Sequence, residues 1–240
     1  MRKFLIPAVA ALAVVTVEVA PTIAQSDGPT KVEVDASVSP NNGGSKKKPQ
    51  GHTVKAKITV TTSPDVDKPV VEGGEVYFPK GALYNGKKFA SCSKATISRG
   101  GPDACPKKSI MGKGSGSANA DTVETAPKVV VVNGGKSTVW FYTTLQRPAR
   151  VRAPVEGKIS KASGQWALKL SFKVPEVLQS VAGIPVTLND LTVTAGGKSW
   201  AKDWLATTSC GSGGKWPFEA HLNLSTGQTV QYTDSVTCKK

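Results

Sequence analysis

Cys92, Cys105, Cys210 and Cys238 are the four cysteines of the chain, and their spacing limits what chemistry they can do. A redox-active pair wants a Cys-x-x-Cys spacing, and neither the 92/105 nor the 210/238 interval has it. Whether such residues bind metal or form bridges depends on the compartment. Met1-Arg2-Lys3 is a short basic start, Phe4 to Val17 is almost continuously apolar, and Thr22-Ile23-Ala24 precedes Gln25 with small residues. That pattern is a cleavable secretory leader, assigned to residues 1–24, and the run is too short for a comfortable membrane span. No second long apolar segment follows, so no transmembrane segment is expected once the leader is removed. Export makes structural disulfides the expectation. Three pairings are formally open, and pairing of sequence neighbours, Cys92 with Cys105 and Cys210 with Cys238, is the preferred one.

Other reactive groups form no recognisable set. His52 and His221 are the two histidines. Ser225 and Asp234 lie near His221 in sequence, but no strand-to-helix elbow marks Ser225 as a nucleophile. Gly134-Gly135-Lys136-Ser137 resembles a phosphate loop only superficially, because a strand pattern follows it where a helix N-terminus is needed. Gly112-Lys113-Gly114-Ser115-Gly116 fails for the same reason. Asp65 and Asp67 are too few oxygens for calcium and suit a turn beside Pro64. No catalytic residue, metal site or cofactor is therefore expected. The best ligand-binding patch by sequence is aromatic and cationic: Trp200, Trp204 and Trp216 with Lys198, Lys202 and Lys215. Aromatic faces among cations suit an anionic glycan.

The chain carries 31 Lys+Arg against 17 Asp+Glu, a net charge of +14. Such a balance favours acidic partners. For an exported chain these are anionic wall polymers or glycans, with nucleic acid excluded as a physiological target. Lys46-Lys47-Lys48 is the one tight run, in a Pro/Asn/Gly/Ser context that reads as a solvated loop tip.

The elements that must position these groups are strands. Thr53–Val60 and Ala167–Val174 alternate polar and apolar residues with period two, and Lys31–Asp35 does the same. Val129–Val132, Asn133-Gly134-Gly135 and Ser137–Thr143 read as strand, turn, strand. Further strands are expected at Gly74–Phe78, Arg150–Ile159, Pro185–Ala195, Lys215–Leu224 and Gln228–Thr237. The single helix candidate is near 175–182, with Pro175 at its start and Gly183 as a stop. The fold class is all-β, a β-sandwich of one domain over residues 25–240. A split into two β domains near residue 125 is the weaker alternative.

Phe78-Pro79-Lys80-Gly81, Tyr84–Phe89, Ser91-Cys92-Ser93 and Cys105–Gly114 form a block that resembles one in uncharacterised secreted actinobacterial proteins. Ser209-Cys210, Gly214–Ala220 and Ser235–Cys238 are similar to their tail. The resemblance implies an exported β-rich domain with these two cysteine pairs, and it carries no activity. The expected function is a non-catalytic binding or structural module, secreted or associated with the cell envelope. The alternatives are a secreted hydrolase acting on glycans through carboxylates brought together only in three dimensions, and a protein-binding module that uses a sheet edge.

Overall fold

Period-two patterning becomes strand throughout the computed structural model, which describes residues 28–239. The leader assigned to residues 1–24 lies outside the described residues. The strands are β1 (Thr30–Ser39), β2 (Gln50–Gly51), β3 (Thr53–Thr62), β4 (Val71–Pro79), β5 (Ala82–Tyr84), β6 (Ile110–Ala120), β7 (Val123–Thr125) and β8 (Lys128–Asn133). They continue as β9 (Thr138–Leu145), β10 (Val151–Lys161), β11 (Trp166–Lys173), β12 (Ser180–Val181), β13 (Ile184–Gly196), β14 (Leu205–Thr207), β15 (Lys215–Leu224) and β16 (Thr229–Thr237). Two short α-helices, α1 (Lys94–Gly100) and α2 (Glu176–Gln179), and a few single 3-10 turns lie between them. The helix expected near 175–182 is thus a single turn, and its last residues pass into β12.

The all-β expectation holds. The long strands make one antiparallel ladder, β1-β3-β13-β6-β8-β9-β10-β11-β4-β15-β16. The two layers of a sandwich are here opposite walls of one curled sheet. β11 and β13 stand well apart in the ladder, yet Phe172 and Leu188 pack against the same buried clusters. Pairings of β13 with β3 and β6, and of β4 with β11 and β15, cross residue 125 and join both halves of the chain in one ladder.

Curling brings the two ends of the ladder together. Val32 and Val34 of β1 share a core with Val230 and Tyr232 of β16. The ladder has eleven members, each antiparallel to the next, so its first and last strands must run parallel. The continuation of β16 obeys this parity: Lys239 bridges Asn42 in the parallel sense. Among the described residues no ladder pairing joins β1 to β16, so the seam is closed by side chains. An exposed edge is what strand addition by a partner requires, and here the two edges face one another.

Each pole of the curled sheet is stoppered. At one pole the small sheet β2-β14-β5 lies beneath Trp204 and Met111. At the other, Leu178 of α2 and Val181 of β12 pack onto Ala118, Ala120, Leu145 and Val155. The wholly apolar run in β8 has a physical cause. Val129 and Val131 face the interior, while Val130 and Val132 face outward into a second small core with Trp140, Tyr142, Cys92, Cys105 and Ile97. A strand covered on both faces has no polar side to show. The cover is the Cys92–Cys105 loop carrying α1, whose Ile97 is fully buried. Burying that one side chain contributes about 1.5–3 kcal/mol. Ser93 caps α1 by accepting from the Thr96 N–H at 3.1 Å, the normal remedy for a helix start.

β6 escaped the sequence reading because Ile110–Ala120 is mostly Gly, Ser and Ala. Its glycines oppose Leu191, Val193 and Ala195 of β13. A Cβ on Gly112 or Gly116 would lie 2.2 Å from Thr194 O or 2.0 Å from Asp190 O. The two backbones approach more closely there than any side chain allows, as glycine permits at a tight bend.

Candidate functional site

Sequence-predicted groups fall into three places. Both cysteine pairs form as expected, Cys92–Cys105 and Cys210–Cys238, and no described cysteine is free. Gly134–Ser137 is the β8–β9 turn, with Gly135 at φ 109°, a value only glycine adopts readily. Gly112–Gly116 is strand. Asp65 and Asp67 sit exposed in the loop after β3, and no group of three metal-ligating side chains occurs among the described residues. Lys46–Lys48 is an exposed loop, closed by Ser45 N–H donating to Lys48 O at 2.9 Å.

The aromatic patch does not assemble as expected. Trp204 and Trp216 are 3 % and 4 % exposed. Trp204 donates its indole N–H to Asn133 Oδ1, and Trp216 donates to Ser209 O at 2.9 Å. Their faces are spent in the core and cannot receive a sugar. Trp200 is half-buried, while Lys198, Lys202 and Lys215 are exposed. The sequence could not tell that Trp204 is packed into the core beside Tyr84 and Leu205 of the small sheet, or that Trp216 is buried against His52.

The His221–Ser225–Asp234 arrangement also does not form. His221 pairs with Glu219, Ser225 Oγ accepts from Val70 N–H, and Asp234 accepts from Tyr232 and from Ser235 N–H. His52 is a structural latch. It is 1 % exposed, packs edge-on against Trp216 at 5.2 Å, and lies between Pro40 O (2.7 Å from Nδ1) and Thr207 Oγ1 (2.9 Å from Nε2). Pro40 O can only accept, so the proton sits on Nδ1, and Nε2 accepts from Thr207. Burial lowers its pKa, partly offset by the Pro40 carbonyl. The unfolded chain therefore takes up this proton first. The stability contributed by neutral His52 is complete above the unfolded value of about 6.5 and is lost as pH falls from there toward the folded value. Thermal melts of His52→Gln against the parent should show the parent falling more steeply below pH 6.5, by up to about 1.4 kcal/mol per pH unit. Parallel pH profiles would refute this.

Exposed cations outside any ion pair stand in rows on the outer wall formed by β3, β13, β6, β8, β9 and β10, with Asp35 of β1 opposite Lys57 at its margin. Register places the side chains in rows. Lys55, Thr194 and Lys113 are opposite one another, and the next row runs Lys57, Thr192, Ser115, Lys128, Thr144, Arg152. Successive outward residues on a strand are about 6.6 Å apart, and neighbouring strands about 4.8 Å apart. The cations thus form a grid with spacings on the order of 7–10 Å, interleaved with hydroxyls. The ion pairs among the described residues are Lys94–Glu156, Lys169–Glu75 and His221–Glu219, none of which engages this grid.

A groove of about 490 Å³ adjoins Lys57 at the pole where β3 ends. Thr59, Thr61 and Ser63 line one side, and Lys68, Asn189 and Asp190 the other. A bulge in β13 between Leu188 and Asp190 aims Asn189 sideways, a common use of a bulge. Asn189 accepts from the Lys68 amine at 2.8 Å and donates to Ser117 Oγ at 3.0 Å. Partial burial lowers the Lys68 pKa, with the Asp190 charge opposing. The amine is thereby fixed at the rim of a concavity that also holds Lys57. Sequence reasoning missed this site because its residues come from two segments far apart in the chain, 57–68 and 189–190. The signal present was the polar alternation Lys55, Lys57, Thr59.

On the far wall, β11, β4 and β15 carry a second polar cluster. Glu75 accepts from Tyr77 OH at 2.6 Å, from Lys169 at 2.7 Å and from Ser171 at 3.2 Å. Lys169 foremost, then Tyr77, hold its carboxyl below the usual range. A glycosidase acid needs the opposite shift. Glu219, the nearest second carboxylate across the strands, is engaged with His221. No protein-family model matches this chain, nor does any curated protein or solved structure.

Proposed function

We propose that the protein is an exported, envelope-associated binding module without catalysis, which holds an anionic polymer on the cationic grid and its adjoining groove. The observation that carries this reading is the grid itself: Lys55, Lys57, Lys113 and Lys128 stand in register, exposed and unpaired, beside a concavity rimmed by Lys57 and Lys68. Cations scattered only for solubility would have no reason to share one wall with hydroxyl donors between them. A repeating polyanion gains from such spacing because each added contact is intramolecular once the first has formed. The disulfides and the leader support an extracellular setting.

Affinity electrophoresis through gels containing polyphosphate or alginate tests the reading. Retardation is expected at low salt and should fade as salt rises. Charge reversal at Lys55, Lys57 and Lys113 together should weaken binding about 10–100-fold, at roughly 1 kcal/mol or less per cation. The same reversal at Lys46, Lys47 and Lys48 should change little. Absence of retardation at low salt, or equal loss from both triple variants, would remove the proposal.

A further inference from the structure

We propose a second ligand site, for an uncharged polysaccharide chain, on the outer wall opposite the cationic grid. Trp166, Tyr77 and His221 stand on three neighbouring strands, β11, β4 and β15. Their rings form a continuous track, with centroids 5.9 Å apart from Trp166 to Tyr77 and 5.2 Å apart from Tyr77 to His221. All three are half-buried, and the Lys169 amine lies over the Tyr77 ring, 5.8 Å from its centroid. Aromatic faces of this kind accept the C–H face of a pyranose.

Polar groups flank the track and are held in place. Glu75 is fixed by Tyr77, Lys169 and Ser171, and Glu219 by His221. Their side chains remain 31 % and 24 % exposed. A carboxylate has about four lone-pair sites, so each can still accept sugar hydroxyls. Lys169, 30 % exposed, offers the complementary donor. Rings for stacking with prealigned acceptors and a donor on either side are the ingredients of sugar recognition.

Glu75 and Glu219 flank the rings, and a carboxylate beside the stacking faces disfavours the like charge of an acidic sugar there. The tilt of the rings selects further. Tyr77 is turned 45° from Trp166 and 52° from His221. The track is a twisted ribbon, suited to a single chain in solution and unsuited to the flat face of a crystalline polymer. Cross-strand packing alone would account for the ring contacts; it does not require fixed, exposed carboxylates on both sides.

The test is affinity electrophoresis through gels containing soluble neutral polysaccharides: hydroxyethyl cellulose, glucomannan and glycol chitin. Retardation by at least one is expected, unchanged between low and high salt. Trp166→Ala and Tyr77→Ala should each weaken it about tenfold. Should either truncation lower the melting temperature, Glu75→Gln, which conserves volume, carries the same expectation. Reversal of Lys55, Lys57 and Lys113 should leave neutral binding untouched, which separates this site from the polyanion reading. No retardation by any of the three polymers, or retardation that survives both the ring truncations and Glu75→Gln, would overturn the proposal.

Discussion

Replacing Asn133 with alanine is expected to cost about 3–5 kcal/mol of unfolding free energy, the largest effect of any single substitution discussed for this chain. The residue ends β8 and is fully buried. Its amide donates to Gly86 O and Ala90 O at 2.9 Å each, with Phe89 O at 3.3 Å sharing. Its carbonyl oxygen lies 2.9 Å from Tyr84 OH, 3.2 Å from Trp204 Nε1 and 3.3 Å from Gly135 N. One side chain therefore ties the 86–90 turn, the small sheet and the β8–β9 hairpin together. Tyr84 has a second acceptor in Thr138 O at 2.6 Å and survives the loss. Gly86 O likewise keeps the Phe89 N–H at 3.3 Å, whereas the Trp204 N–H and the Phe89 and Ala90 carbonyls lose the partner that Asn133 supplies, and a group left buried without one costs about 1–3 kcal/mol. Burial already pushes the Tyr84 hydroxyl far above its usual pKa, a sign of how little water this region admits. Urea titration should show a lower midpoint with an unchanged slope. A loss under about 1 kcal/mol would mean that water fills the vacated space and satisfies the same groups.

Removing the Cys210–Cys238 bridge by alanine at both positions should cost about 3–4 kcal/mol in the chain-entropy model. The bridge closes an interval of 28 residues that spans the whole β15–β16 hairpin. Total stability of a domain is commonly about 5–15 kcal/mol, so a substantial share is at stake. Location matters as much as size. β16 is the last strand of the ladder, and it faces β1 without a ladder pairing among the described residues. Hydrogen exchange should show β16 amides opening first in the double variant, while β8 and β9 keep their protection. The Cys92–Cys105 bridge closes only 13 residues. Its loss should expose Val130, Val132 and Tyr142 locally and leave the seam closed. Identical exchange patterns for the two double variants would contradict the assignment of the seam to the first bridge.

Most of the wall strands were readable because their faces differ. Lys55, Lys57, Lys169 and Lys173 alternate with apolar neighbours, and those segments are β3 and β11. β15 spans Lys215–Leu224, the range read from its pattern. β6 was not readable, since Gly112 to Ala120 holds no apolar side chain larger than alanine and shows no apolar rhythm. The small sheet was missed because two- and three-residue strands carry no period. α1 was missed because seven residues with a single buried anchor, Ile97, give too short a repeat. The binding surfaces were harder still. Tryptophan number said nothing of tryptophan exposure, so Trp204 and Trp216 looked available. Trp166, Tyr77 and His221 lie far apart in the chain and become neighbours only through the order β11-β4-β15. Register across strands, which sets both surfaces, is long-range information that local pattern does not hold.

An odd number of staves has a geometric consequence for how the molecule can be mounted. Because the first and last staves point the same way, Gly28 and Lys239 emerge at opposite poles, with the groove near Ser63 on the Gly28 side, where Pro29 O accepts from Ser63 N–H. A handle grafted behind Lys239 would hold that groove away from a support, and one grafted ahead of Gly28 would press it against the surface.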